Sequence, residues 1–243
     1  MNKPLLSLFA LPLVLAVAAC DDPKSSTAPA TNSASTTQAQ AQVQASASAS
    51  AAAPTSAAAP VVYAAPATYD FDVSHSTVGF SVKHMMVSNV KGSFGKFTGS
   101  LFLDEKDPGK STLQVDVETA TVDTKNGDRD KHLRSPDFFD SAKFPKMTFK
   151  STKVERSGDG YSVTGDLTIK DVTKSIVLKV DSIAPEAKDP FMGALHRGAH
   201  ATAKINRKDF GLTWNKAIET GGAVVGDEVT LDIDVDLVKK PGT

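Results

Sequence analysis

One cysteine, Cys20, stands in 243 residues, so no disulfide can form within the chain and the fold has to rest on its apolar core. An excess of one charge is missing as well: 27 basic and 28 acidic side chains give a net charge of −1, which argues against the basic surface that nucleic acid selects. No apolar run reaches the ~20 residues that span a bilayer; the stretch from Leu5 to Val17 is too short and is broken by Ser7 and Pro12. Catalytic signatures are missing too, with no Gly-x-Ser-x-Gly elbow, no His-Glu-x-x-His helix and no phosphate-cradling glycine loop. Glycines do cluster at Gly92, Gly95 and Gly99 and at Gly221, Gly222 and Gly226. In strand-rich surroundings they read as bulges, bends or tight turns. No catalytic residue, metal or cofactor is assigned from any of this.

What is present begins with Lys3 and the short apolar run, closed by Val17-Ala18-Ala19-Cys20. The pattern fits a signal peptide over residues 1–19. It resembles the lipobox of bacterial lipoproteins, with Val17 where Leu is commoner, and so implies cleavage before Cys20 and a diacylglyceryl anchor on its sulfur. An ordinary cleavable signal with an incidental cysteine is the alternative. Asp21 resembles the inner-membrane retention signal of enterobacterial lipoproteins. From Pro23 to Pro66 the chain is mostly Ala, Ser, Thr, Gln and Pro, with Lys24 as its one charge and Tyr63 as its one aromatic. Too little apolar bulk is available there to offset ordering entropy, which predicts a disordered tether over 20–66 with a span of roughly 35–40 Å.

The folded domain is expected over 67–243, and its dominant period is two. Val78, Phe80 and Val82 alternate with polar or small residues, as do Leu113, Val115 and Val117. Tyr161, Val163, Leu167 and Ile169 share a face with Gly165 between them. Val229, Leu231, Ile233, Val235 and Leu237 give the clearest strand, alternating with Thr230, Asp232, Asp234 and Asp236. Such patterns mean antiparallel strands with one buried and one wet face. Turn signals at Pro108-Gly109, Gly158-Asp159-Gly160 and Asp171-Val172 complete an all-β barrel or sandwich. Asn126 to Ser135 predicts the one clear helix, with a shorter one near Lys208 to Leu212 or Trp214 to Ile218.

Among the five histidines, His196 and His200 stand four apart; on a strand that spacing is about 13 Å, too far for a shared metal. Asp128 and Asp130 beside Arg129, Lys131 and Arg134 read as a solvated, salt-bridged helix face. The mid-chain concentration of Phe94, Phe97, Phe102, Phe138, Phe139, Phe144, Met147 and Phe149 is either core or cavity lining, which periodicity does not separate.

Several ordered motifs go further. Tyr69-Asp70-Phe71-Asp72 with His75-Ser76, Val78 to His84, and Gly92-Ser93-Phe94-Gly95-Lys96-Phe97-Thr98-Gly99 resemble the opening of YceI-like proteins. Asn126 to Leu133 with Asp137-Phe138-Phe139-Asp140, Gly165 to Lys170, and Ile205-Asn206-Arg207-Lys208-Asp209-Phe210-Gly211-Leu212 continue that resemblance through the domain. It implies an extended, lipocalin-like antiparallel β-barrel of about eight strands with one or two short helices. It also implies a periplasmic, non-enzymatic carrier or store for a polyisoprenoid or similar long-chain lipid, without metal or redox cofactor; a homodimer is left open. The lining implied is Phe80, Val82, Phe94, Phe97, Leu101, Leu113, Val115, Val117, Phe138, Phe139, Met147, Phe149, Leu167 and Ile169. His84, Arg129 and His132 are candidates for a polar head group. Two other readings stand beside it: an interaction or envelope-stress protein with a side-chain-filled barrel, and an enzyme using His84 or His132 as a general base.

Overall fold

The computed structural model describes residues 63–219 and 221–242. The signal segment, Cys20 and nearly all of the tether lie outside these described residues. Because alternation makes each strand two-faced, its apolar face must meet the apolar face of others. The described residues arrange this with eleven strands: β1 (Ala67–His84), β2 (Ser88–Phe94), β3 (Phe97–Leu103), β4 (Thr112–Glu118), β5 (Val122–Asp123), β6 (Lys146–Ser157), β7 (Gly160–Ile169), β8 (Val172–Val180), β9 (Ala187–Lys188), β10 (Leu195–Asn206) and β11 (Val225–Lys239). Eight of them run β1-β3-β4-β6-β7-β8-β10-β11 in antiparallel order, and β11 pairs back onto β1 to close the barrel. β2 and β3 are one bent strand along β1, since Val78 to His84 face β2 and Ala67 to Asp70 face β3. β5 extends the line of β4 beside β2, and β9 pairs with the start of β10.

Two bulges decide which residues face inward. The register of β1 against β11 slips between Asp72 and Thr77, so Tyr69 and Phe71 point into the core before the slip and Val78 and Phe80 after it. β6 slips against β7 between Ser151 and Lys153, which passes the inward role from Met147 and Phe149 to Val154. An extra residue inverts the parity of everything beyond it.

Two inward glycines keep the middle of the barrel open. A Cβ at Gly99 would lie 2.5 Å from the Phe71 ring, and one at Gly165 2.4 Å from the ring of Phe149. Both rings therefore lie flat against a neighbouring strand.

One end of the barrel is stoppered by aromatics. The helix α1 (Gly127–Leu133) starts where the Asn126 side chain accepts the Arg129 N–H at 3.0 Å, a standard N-cap. Behind it Phe139 meets Phe94 edge-on at 5.5 Å, while Phe138 and His132 pack on Trp214 at 5.4 and 4.7 Å. The expected solvated face of this helix is corrected at Asp130. Its carboxylate is buried, accepting from the Thr124 N–H at 2.9 Å and hydroxyl at 2.6 Å, because it closes the turn before the helix. The second helix is a single 3-10 turn, Arg207–Phe210, ended by Gly211 at φ 74, and Trp214 to Ile218 is not helical.

Candidate functional site

Inside the barrel lies a cavity with about 140 Å³ of space for the centre of a water-sized sphere. At about 10–15 Å³ per water this is roughly ten such positions. All eight ring strands contribute to its wall, whose only polar side chains are Ser111, Thr148 and Tyr161.

Of the residues expected inside, Phe94, Leu101, Leu113, Val115, Val117, Met147, Phe149, Leu167 and Ile169 stand on this wall. Five others do not. Phe80 and Val82 follow the β1 bulge toward the stoppered end, where the Phe80 ring lies over Gly92 and packs on Phe94 at 5.8 Å. Phe97 is buried opposite Val117 just past the β2–β3 bend, outside the wall. Phe138 and Phe139 belong to the stopper. The wall also takes Phe71, Leu103 and Val154, with Ile176, Leu178 and Val180 from β8, Ala199, Ala201 and Ile205 from β10, and Leu231, Ile233, Val235 and Leu237 from β11. Alternation in β11 was legible from the sequence. The alanine face of β10 was not, because small side chains carry little apolar signal.

None of the three head-group candidates lines the cavity. Arg129 is spent on Thr124, donating to its hydroxyl at 2.7 Å and its carbonyl at 2.8 Å. His132 pairs with Asp137 at 2.8 Å while meeting Trp214 edge-on. His84 sits at the rim, in the β1–β2 hairpin opposite Ser88. All three lie at the stoppered end.

The opposite end holds the polar groups that sequence reasoning missed. Arg197 lies opposite Leu237, a wall residue, so its side chain enters the interior, and it is 5% exposed. It donates from Nε to the Ala184 carbonyl at 2.7 Å and from Nη2 to Glu105 at 2.7 Å. Beside it the buried Tyr69 hydroxyl donates to Glu186 at 2.8 Å, and Lys239 donates to the same carboxylate at 2.9 Å. Burial, and then the Glu186 carboxylate, push the Tyr69 hydroxyl above its ordinary range. Lys239 and Tyr69 hold Glu186 below its own.

On the outside of the barrel, His196 and His200 occupy β10 and pair with different carboxylates. His196 contacts Asp236 at 2.8 Å; His200 contacts Asp181 at 2.7 Å and Asp232 at 2.8 Å. Two groups, Asp72-His75-Asp236 and His200-Asp232-Asp234, bring ligand-type atoms within 4.8 Å of one another. In this structure the His75 imidazole is hydrogen-bonded to Asp72 within β1, while that of His200 ties β10 to Asp232 on β11 and to Asp181 just past β8. His200, with a carboxylate on each ring nitrogen, is raised to about 9 from 6.5. A folded-state value above the unfolded one stabilises fully below about 6.5, and that contribution is lost as pH rises through about 9. We therefore expect the His200 ring proton to titrate near pH 9 by NMR, and His200→Gln to flatten the fall in Tm over that interval. A wild-type midpoint near 6.5 would rule this pairing out in solution.

Comparison with known proteins agrees with this architecture. The model of the YceI-like domain matches residues 69–237. A UPF0312 protein of Photorhabdus laumondii is 40% identical over 144 residues, covering 58% of this chain and 74% of its own. One from Yersinia pestis is 41% identical over 144 residues, covering 59% and 74%. Among solved structures, the Campylobacter jejuni YceI protein is 35% identical with TM-score 0.55, covering 65% of this chain and 90% of that one. Burkholderia cenocepacia BcnA shares the fold at 23% identity and TM-score 0.58, covering 68% and 98%.

Proposed function

This chain belongs to the YceI-like family, and from that premise we propose that its barrel binds the long apolar chain of a lipid, a polyisoprenoid, isoprenoid quinone or fatty-acyl chain, as a non-enzymatic carrier or store. The observation that carries this reading is the cavity inside the barrel, whose wall is apolar apart from Ser111, Thr148 and Tyr161. Each methylene moved from water into such a wall gains about 0.8 kcal/mol, so ten of them supply roughly 8 kcal/mol before ordering costs. Polar contacts are then needed for orientation more than for affinity. The flat-lying Phe71 and Phe149 favour this reading over a barrel filled by its own side chains, because Gly99 and Gly165 hold those rings against the wall.

We place the protein in the bacterial envelope on the periplasmic side, anchored through lipid on Cys20, with Asp21 favouring the inner membrane. No helix among the described residues is long and apolar enough to cross a membrane. A lipid anchor on Cys20 would keep the barrel near membrane-borne cargo. Mass spectrometry of the full-length protein from a bacterial envelope tests both parts. Denaturing spectra should give a lipidated chain beginning at Cys20, and native spectra should add the mass of one apolar lipid. An unmodified cysteine would refute the anchor. A barrel that arrives empty and takes up neither prenyl nor acyl chains would refute the carrier.

A further inference from the structure

We propose that the outer face of the barrel binds a divalent transition-metal ion between His75, His196 and Asp236, with Asp72 as the positioning residue that aims the His75 ring. The site lies outside the cavity and does not depend on the lipid-binding reading.

The first observation is a pair of carboxylates set against each other. Asp72 on β1 and Asp236 on β11 are directly opposite in the antiparallel register, and Asp236 stands on the outer face between the wall residues Val235 and Leu237. Like charges facing across strands destabilise a sheet unless a cation joins them. Here their ion-pair partners are imidazoles: His75 Nδ1 lies 2.8 Å from Asp72, and His196 Nδ1 lies 2.8 Å from Asp236. One ligand atom each from Asp72, His75 and Asp236 already stand within 4.8 Å of one another. Tetrahedral ligands at about 2.0–2.2 Å from an ion are about 3.4 Å apart, so side-chain rotations of about an ångström close such a set.

The bulge in β1 is built to present His75. Between Asp72 and Thr77 the strand leaves its register with β11, and Asp72 accepts from the Ser74 N–H at 2.8 Å, the Ser74 hydroxyl at 2.5 Å and His75 Nδ1 at 2.8 Å. Ser76 Oγ accepts the Asp236 N–H at 2.9 Å, which pins the bulge beside Asp236. A carboxylate that takes one imidazole nitrogen and leaves the other for the ion is the usual support of a metal-binding histidine, and Nε2 is what Asp72 leaves on His75.

Room for an ion comes from Gly198. It pairs with Asp236 from the β10 side and places no side chain over it, in an open depression bordered by His75, His196 and Asp236. Arg197, among the described residues the one lysine or arginine on that border, turns its guanidinium to Glu105 at 2.7 Å. Two imidazoles with one carboxylate suit Zn²⁺, Co²⁺ or Ni²⁺, whereas Ca²⁺ takes six or more oxygens. The nearby His200 is not a ligand, because Asp181 and Asp232 occupy both of its ring nitrogens.

The test titrates untagged full-length protein, purified from a bacterial envelope and stripped with a chelator, with Zn²⁺ and separately with Ca²⁺. Calorimetry at about pH 8 limits competition from protons for the imidazoles. One Zn²⁺ should bind per chain at this site, with Ca²⁺ at least about tenfold weaker. His75→Gln and His196→Gln should each weaken Zn²⁺ binding about 100-fold and Asp72→Asn about tenfold, while His200→Gln stays within about twofold of wild type. In the unsubstituted protein, Zn²⁺ should shift the ring signals of His75 and His196 by NMR and leave those of His200 in place. No saturable Zn²⁺ binding, tighter binding of Ca²⁺, undiminished affinity in the His75 and His196 variants, or an equal loss in His200→Gln would overturn the site.

Discussion

Val115→Asp is expected to abolish lipid uptake and to cost about 3–5 kcal/mol of stability, whereas Gln114→Asp, one residue away, should leave both within about 0.5 kcal/mol of wild type. Val115 stands on the cavity wall between Gly99 on β3 and Phe149 on β6. A carboxylate there has no cation to meet, so it must either stay charged in an apolar enclosure or take up a proton at neutral pH. Gln114 is exposed on the opposite face of the same strand and presents its side chain to water. Denaturant unfolding and lipid titration of the two variants read out the period of two directly. Wild-type behaviour of Val115→Asp in both measurements would mean that the inner and outer faces had been exchanged.

Arg207→Met should lower Tm by roughly 8–15 °C, the equivalent of about 3–5 kcal/mol in a domain of this size. Arg207 is 4% exposed and gathers the β10–β11 connection around one guanidinium. Nε donates to Gly226 at 2.8 Å, Nη1 to the carbonyls of Leu212 and Trp214, and Nη2 to Val225 and Asp227 at 3.3 Å. A methionine fills much of the same space but leaves those carbonyls without their donor, and Trp214 loses the backbone that positions it against Phe138. Near-UV circular dichroism should report the loosened tryptophan before global unfolding. An unchanged Tm and an unchanged tryptophan signal would show that water replaces the guanidinium at no cost.

Arg207 was visible in the sequence as part of Asn206-Arg207-Lys208-Asp209-Phe210-Gly211, and the resemblance marked it without giving it a task. Arg197 gave no such sign. In His196-Arg197-Gly198-Ala199-His200-Ala201 the inward positions are an arginine and small residues, and the outward ones include two histidines, so apolar alternation is nearly silent. The expected head-group residues went astray for a related reason. His84, Arg129 and His132 lie in dense motifs, but those motifs build the stopper, where Thr124, Asp137 and Trp214 occupy the polar groups of Arg129 and His132.

Local chemistry written into the chain indicated several of the strands, their antiparallel pairing and the helix beginning at Asn126, whereas the lipocalin-like barrel of about eight strands, rather than a sandwich, was implied by the resemblance to YceI-like proteins. The first three follow from neighbours a few residues apart, through alternation and turn residues. Which residues meet in the interior depended on tertiary structure. The slips at Asp72/Thr77 and Ser151/Lys153 invert the faces of β1 and β6, and only closure of β11 onto β1 brings Tyr69, Glu105, Glu186, Arg197 and Lys239 to one end of the cavity. A bulge is set by what the partner strand requires, and a buried charge is tolerable only beside partners remote in sequence; neither condition can be read from a residue's own neighbours.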